Sequence, residues 1–211
     1  MKRLTKLANK FGTDKGSTFE SKHEYTEIYE DYFNKYENPV ILEIGSGEGA
    51  SAKMFNAFYD GDCEIYSLDI KEMNFEEENI HYLYIDTDSD ESVDEVAKKL
   101  ENIRFDIIID DGSHISEHQC RCLKKFYKLL KNNGIYIIED LYSNVQWMNF
   151  NESLLNFLVT GYDIHSFTQD EKRDLINNIK SLALYKRKNQ TLTKWGFVDR
   201  SITAILNFEQ K

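Results

Sequence analysis

The chain has 211 residues, 41% hydrophobic, 13% aromatic and 30% charged, with three cysteines and one proline. A chain of this length buries roughly 70% of its unfolded surface, so it needs no disulfide scaffold, and its composition excludes collagenous and low-complexity classes. A net charge of −11 speaks against nucleic acid as a partner, because that binding rests on neutralising phosphates. No apolar run approaches the ~20 residues of a membrane span. Met1–Lys10 lacks the apolar stretch of a secretory signal, so a cytoplasmic protein is expected.

In chain order, residues 1–38 read as an N-terminal helical segment, broken at Gly12-Thr13-Asp14-Lys15-Gly16-Ser17. Tyr25, Ile28, Tyr29, Tyr32 and Phe33 follow at helical spacing, as a stripe packing on the core. Pro39 opens a second unit, 39–211, with the two expected to form one compact body. Apolar runs at Val40–Ile44, Glu64–Leu68, His81–Ile85, Phe105–Ile109 and Ile135–Ile138 alternate with amphipathic stretches at Ala50–Phe58, Glu91–Leu100 and Glu117–Leu130. Such alternation predicts βα units, right-handed crossovers and a parallel sheet. Gly134 reads as the stop of the last of these helices. Tyr142–Lys180 reads only as helical with aromatics. Ser181–Arg187 and Ser201–Phe208 are two further strands, an antiparallel pair at one edge, separated by a loop with Gly196. Cys63, Cys120 and Cys122 read as plain thiols, since Cys-x-Cys lacks the second pair of a zinc site.

The first strand runs into Gly45-Ser46-Gly47-Glu48-Gly49-Ala50. Glycines there let a ligand approach a helix N-terminus, and the spacing also suits a dinucleotide fold. Glu43, two residues earlier, repels a pyrophosphate but suits the ammonium and sulfonium of S-adenosylmethionine. Asp69, ending the second strand, can accept both hydroxyls of an adenosine ribose, for this donor and for NAD alike. The third strand ends in Asp86-Thr87-Asp88-Ser89-Asp90. Asp86 is placed near the adenine, and Ser89 or Asp90 is expected to cap the next helix. These ends share one crevice, and its acidity favours a cationic methyl donor.

The fourth strand ends in Asp110-Asp111-Gly112-Ser113-His114 and the fifth in Glu139-Asp140. Consecutive parallel strands are usually neighbours. Their carboxylates, crowded together, call for a cation, and hard oxygen ligands point to Mg²⁺, with Mn²⁺ or Ca²⁺ next. Such an ion lowers the pKa of a bound hydroxyl, and an imidazole can then take the proton. His114 is the candidate base, with metal ligand and helix cap as its other readings. His118 is a surface or supporting residue; His23, His81 and His165 carry no chemistry that the sequence argues for.

Gly12-Thr13-Asp14-Lys15, His23-x-Tyr25, Leu42-Glu43-Ile44-Gly45-x-Gly47-x-Gly49-Ala50-Ser51, the Phe105–His114 stretch and Ile138-Glu139-Asp140-Leu141 resemble, in order and spacing, the class I, metal-dependent sugar O-methyltransferases of the macrocin and mycinamicin type. The resemblance runs from about Phe11 to Tyr142. It implies an α/β, Rossmann-like fold, with a seven-stranded, mostly parallel sheet, an antiparallel last strand and helices on both faces. It also implies Asp111, Glu139 and Asp140 as Mg²⁺ ligands and His114 as general base. The methyl-donor contacts it implies are Glu43, the loop glycines such as Gly45 and Gly47, and Asp69; Ser46, Ile70, Asp86 and Asp110 are expected to contact the donor beside them. Some members carry a large N-terminal domain that these residues do not include, so their assembly is not carried over and a homo-oligomer stays open. Asn132-Asn133-Gly134 stands where a Pro-Gly turn is common.

The function expected is methyl transfer from S-adenosylmethionine to a hydroxyl of a sugar. The tail from Asp170 onward has nine Lys/Arg against five Asp/Glu, a net +4 that leaves −15 for the rest, which makes a nucleotide-activated sugar the preferred acceptor. Lys186, Arg187 and Lys188 are candidates for its phosphates. A catechol-like acceptor, an NAD-dependent oxidoreductase and a non-catalytic nucleotide-binding module are the other readings.

Overall fold

A computed structural model describes residues 1–18, 23–141, 154–161, 166–186 and 202–209. Helices α1 (Arg3–Phe11) and α2 (Thr26–Phe33) precede an alternating run: β1 (Val40–Ile44), α3 (Ala50–Phe58), β2 (Glu64–Asp69), β3 (Ile80–Tyr84), α4 (Asp90–Lys99), β4 (Phe105–Asp110), α5 (Ser116–Phe126) and β5 (Leu130–Leu141). Helices α6 (Leu154–Thr160) and α7 (Gln169–Asn178) lead to β6 (Ile179–Lys186) and β7 (Ile202–Phe208). Seven strands form one sheet in the order β3-β2-β1-β4-β5-β7-β6. The pairings among β1 to β5 are parallel, while β7 is antiparallel to both β5 and β6. Because β7 runs against both neighbours, β6 points the same way as β5. Its end at Tyr185–Lys186 therefore lies on the sheet edge that carries the other carboxyl ends. The two last strands form the expected antiparallel pair at one edge of the sheet, with β7 inserted between β5 and β6 and β6 outermost.

The two-residue period of strands sorts the core into two layers. Leu42, Ile44, Ile108, Tyr136 and Ile138 join one cluster with α4 and α5. Ile41, Ile107, Ile109, Ile135 and Ile137 join the other, which receives Leu4 and Ala8 of α1, Tyr29 and Phe33 of α2, and Phe55 of α3. Covered on both faces, these strands have no polar side to show, hence their unbroken apolar runs. The N-terminal segment is thus part of the core on the odd-numbered face.

One local reading turns out differently from expectation. Helix α5 ends at Phe126 and a 3₁₀ turn covers Tyr127–Leu129, so Gly134 is no helix stop. Pairing with β4 jumps from Phe105↔Leu130 to Ile107↔Ile135, so Lys131–Gly134 bulges out, with Asn133 at φ 63°. Ser89 is the N-cap of α4, its side chain accepting the Ser92 amide. All three cysteines are buried and free. The Gly196 loop lies outside the described residues. Among the described residues, no helix is long and apolar enough to cross a membrane.

Candidate functional site

The glycine loop after β1 is held by local contacts. Gly45, Gly47 and Gly49 all adopt positive φ, at 84°, 57° and 78°, a conformation that costs other residues strain. Gly45 has a further constraint: a Cβ there would lie 2.1 Å from the Asp111 carbonyl oxygen. The absence of a side chain lets the β4 end press against the loop. The Gly47 amide donates to Asp69 Oδ2 at 2.7 Å and the Lys71 amide to Oδ1 at 2.8 Å, so Asp69 closes the loop as well as facing its mouth. A cavity of about 380 Å³ opens there, lined by Gly45, Gly47, Asp69, Ile70, Asp86, Asp111 and His118 among others. Of the residues expected to contact a methyl donor, five line this cavity, while Glu43, Ser46 and Asp110 do not and are buried.

Glu43 is fully buried, and among the described residues neither of its oxygens has a well-formed hydrogen bond. Burial pushes its carboxyl up to about 7, against the opposing pull of Lys15. Asp110 has the opposite parity along β4 and is likewise pushed up to about 7 by burial, with the Gly112 amide and the Tyr136 hydroxyl opposing.

Just past the end of β4 and within the last residues of β5, the odd-numbered row continues as Asp111 and Glu139, beneath the N-terminal helices. Asp140 follows immediately and by strand alternation belongs to the other face. The pairing of β5 with β7 is irregular between Ile138 and Leu141, and Asp140 takes φ 51°. This break lets consecutive carboxylates meet the same side of α2. Tyr29 donates to Glu139 Oε1 at 2.5 Å, and Tyr25, one helical turn earlier, donates to Asp140 Oδ1 at 2.6 Å. The other oxygen of Asp140 lies 3.8 Å from His114 Nε2 and 3.7 Å from His23 Nδ1. Asp111 Oδ1 is 3.9 Å from the same His114 nitrogen. His114 takes φ 58°, and its Nδ1 is buried with no hydrogen-bond partner among the described residues. Left-handed backbone at two facing non-glycine residues costs on the order of 1 kcal/mol each and is characteristic of sites where aim outweighs strain.

Donor atoms of Asp111, His114 and Asp140 lie within 4.8 Å of one another, a cluster able to hold an ion. Glu139 stands just behind it. Lys15, 1% exposed, donates to Glu139 Oε1 and Oε2 at 2.9 and 2.8 Å and also to Asp111 Oδ2. Burial alone pulls the ammonium down, but Asp111, Glu139, Glu43 and Asp14 outweigh it and hold it well above the ordinary lysine range. Burial and the Asp111 charge raise the Glu139 carboxyl, opposed by Lys15 and Tyr29.

Sequence reasoning missed Lys15, Tyr25, Tyr29 and His23 as parts of this cluster. The signals were present. A buried tyrosine stripe leaves hydroxyls that need partners, and Gly12-Thr13-Asp14-Lys15 is one of the segments that carry the resemblance. His118 bonds Ser113 and Asp88, a supporting place beside the cavity. His81 faces Glu64 near the surface; His165, Arg187 and Lys188 lie outside the described residues. A second cavity, of about 630 Å³, lies between α2 and the end of β6, and its lining includes His23, Tyr25, Tyr32, Tyr185 and Lys186.

No family model matches the chain. Mycinamicin VI 2''-O-methyltransferase of Micromonospora griseorubida is 28% identical over 212 residues, 96% of this chain and 49% of that protein. Demethylmacrocin O-methyltransferase of Streptomyces fradiae is 32% identical over 157 residues, 70% of this chain and 38% of that protein. The chain is a relative of the sugar O-methyltransferases of the macrocin and mycinamicin type. It spans about half or less of the length of these relatives. The solved structure of the MycE methyltransferase of the mycinamycin pathway, in complex with Mg and SAH, matches 99% of this chain and 55% of its own at TM-score 0.74 and 23% identity. A ribosomal RNA methyltransferase described as putative, from Plasmodium falciparum, matches 89% of this chain and 96% of its own at TM-score 0.58 and 19% identity. The chain shares the Rossmann-like fold of these methyltransferases, with a seven-stranded, mostly parallel sheet and an antiparallel β7.

Proposed function

We propose that the protein transfers a methyl group from S-adenosylmethionine to a hydroxyl of a sugar, assisted by a divalent cation. The observation that carries this reading is Asp111. It lines the cavity of the glycine loop and also belongs to the carboxylate–imidazole cluster, so one residue joins a donor site to a site for activating a hydroxyl. Relatives named for methylating sugars that are already attached, such as the rhamnosyl tetracenomycin-C 2'-O-methyltransferase of Streptomyces olivaceus, support a glycoside acceptor over the nucleotide-activated sugar favoured by charge alone.

The donor residues suit a cation bearing an adenosine. Glu43 places a buried carboxyl below the loop, which a cationic ligand would draw into its ionised form, and Asp69 and Asp86 stand at the cavity mouth for hydroxyl and base. The carboxylates of Asp111, Glu139 and Asp140 are hard donors fitted to Mg²⁺ or Mn²⁺. A divalent ion held there supplies the Lewis acidity that makes a sugar hydroxyl acidic enough to lose its proton near neutrality. His114 accepts that proton, and the imidazolium is stabilised by Asp111 and Asp140, 3.9 and 3.8 Å away. Tyr25 and Tyr29 hold the two β5 carboxylates in place. The larger cavity, with Tyr25 and His23 in its wall, receives the acceptor. In-line displacement then depends on orientation, which rigid strand ends supply better than loops.

The test is transfer of labelled methyl from the donor to a panel of glycosides and nucleotide sugars, before and after exhaustive chelation. Label on a sugar hydroxyl, lost on chelation and restored by Mg²⁺, is the expected result. Full transfer by the chelated protein contradicts the role given to the carboxylates.

A further inference from the structure

Lys15 is a buried lysine at the centre of an acidic cluster, and its loop is built to keep it there. The Thr26 amide and hydroxyl donate to the Lys15 carbonyl at 3.2 and 3.1 Å. Gly16, next in sequence, packs so close to α1 that a Cβ would sit 2.4 Å from Asn9 Oδ1, and that oxygen accepts the Ser17 amide at 2.8 Å. The backbone is therefore pinned on both sides of Lys15, and the ammonium is delivered to Asp111 and Glu139 from 96 and 124 positions away in sequence.

A lysine buried to this degree is tolerated only when paired. The converse holds for the carboxylates. Without Lys15, fully buried Glu139 keeps only Tyr29 as a side-chain hydrogen-bond donor among the contacts described. Lys15 thus supplies positive charge between the two carboxylates expected to share a divalent ion.

We propose that Lys15 is a resident counter-ion that competes with the divalent cation: its ammonium holds Asp111 and Glu139 together in the metal-free protein and weakens ion binding by occupying their oxygens. The inference rests on the proposed reading that this cluster takes a divalent ion. Its consequence is a stable but readily exchanging site. The ion draws on an Asp111 carboxylate whose Oδ2 the ammonium already holds, and the cluster never faces water as an uncompensated set of negative charges. A merely structural lysine predicts the opposite sign, because its loss would disorder the carboxylates and weaken the ion.

The experiment is calorimetric titration of Mg²⁺ and Mn²⁺ into the full chain, native and Lys15→Met, with circular dichroism to verify folding. Lys15→Met is expected to bind Mg²⁺ at least about tenfold more tightly, and Lys15→Arg to stay near native. The metal-free Lys15→Met chain should also melt lower than native and recover most of the difference on adding Mg²⁺. Unchanged or weaker binding by folded Lys15→Met, with native binding intact, overturns the inference alone. No binding by either chain overturns the divalent-ion reading and this inference with it. Should Lys15→Met fail to fold, the ¹⁵Nζ resonance of Lys15 in the native chain decides. A shift saturating with Mg²⁺ supports displacement, and an unmoved resonance under saturating Mg²⁺ excludes it.

Discussion

On the donor side of the cleft, the parts come from neighbouring segments: a strand, the loop that leaves it, and Asp69 only 22 positions from the Gly47 amide it accepts. On the carboxylate side, Lys15, Tyr25 and Tyr29 reach Glu139 and Asp140 across 124, 115 and 110 positions. Local construction makes the first half tolerant of change elsewhere, since its geometry follows from backbone turns. The second half exists only once α1, the Gly12–Ser17 loop and α2 have docked on the odd-numbered face of the sheet. Each half can be broken separately, and one position joins them.

That position gives the largest expected effect. Gly45→Ala places a Cβ against the Asp111 carbonyl at a positive φ, so both halves must shift. A loss of about 3 kcal/mol or more in stability is expected, together with loss of S-adenosylhomocysteine binding and of Mg²⁺ binding. Retention of either at native affinity would show that the halves are not coupled through this contact.

His114→Ala acts on the carboxylate half alone. Transfer is expected to fall by about 10²-fold or more while donor binding stays native, measured as turnover beside S-adenosylhomocysteine titration. Native turnover at neutral pH removes His114 as the base.

Tyr29→Phe takes one charged hydrogen bond from a fully buried carboxylate. A cost of about 1.5–3 kcal/mol follows, read from urea denaturation, with the donor cavity unaffected. An effect below about 0.5 kcal/mol would mean that Lys15 alone satisfies Glu139.

Glu43→Gln gives the smallest and most selective effect. Folding raises this carboxyl from the ordinary range to about 7, so between roughly pH 4.5 and 7 the folded chain keeps a proton that the unfolded chain has released. Stability of the metal-free protein therefore falls as pH rises through that window. The variant should show a shallower fall, by about 1–3 kcal/mol between pH 5 and 8. It should also lose the strengthening of S-adenosylhomocysteine binding with pH that ionised Glu43 gives to an ammonium ligand. An unchanged slope places the titration at Asp110 or Glu139 instead.

The alternation of apolar runs with amphipathic stretches, the glycine loop after Ile44 and the acidic strand ends were all readable in order, because period-2 and period-3.6 patterns and φ-permissive glycines act within a few residues of themselves. The resemblance likewise named Asp111, Glu139, Asp140 and His114 as a group. Less was readable where pairing is long-range. Nothing in Ser201–Phe208 told that β7 would slip between β5 and β6, and the bulge at Lys131–Gly134 mimicked a helix end. The tyrosine stripe of α2 has the periodicity of plain packing, and that pattern is silent about what a hydroxyl at the edge of the stripe will meet.

The amino-acid order by itself determined the strands, their two buried faces and the glycine loop after β1, since each follows from side-chain periodicity and local backbone freedom. Only the tertiary structure decided that an ammonium from residue 15 and the hydroxyls of Tyr25, just before α2, and Tyr29, within it, would stand among the carboxylates after β4 and in β5. Charges buried together select their partners by proximity in space, and Coulomb forces in a low-dielectric interior leave no periodic trace along the chain.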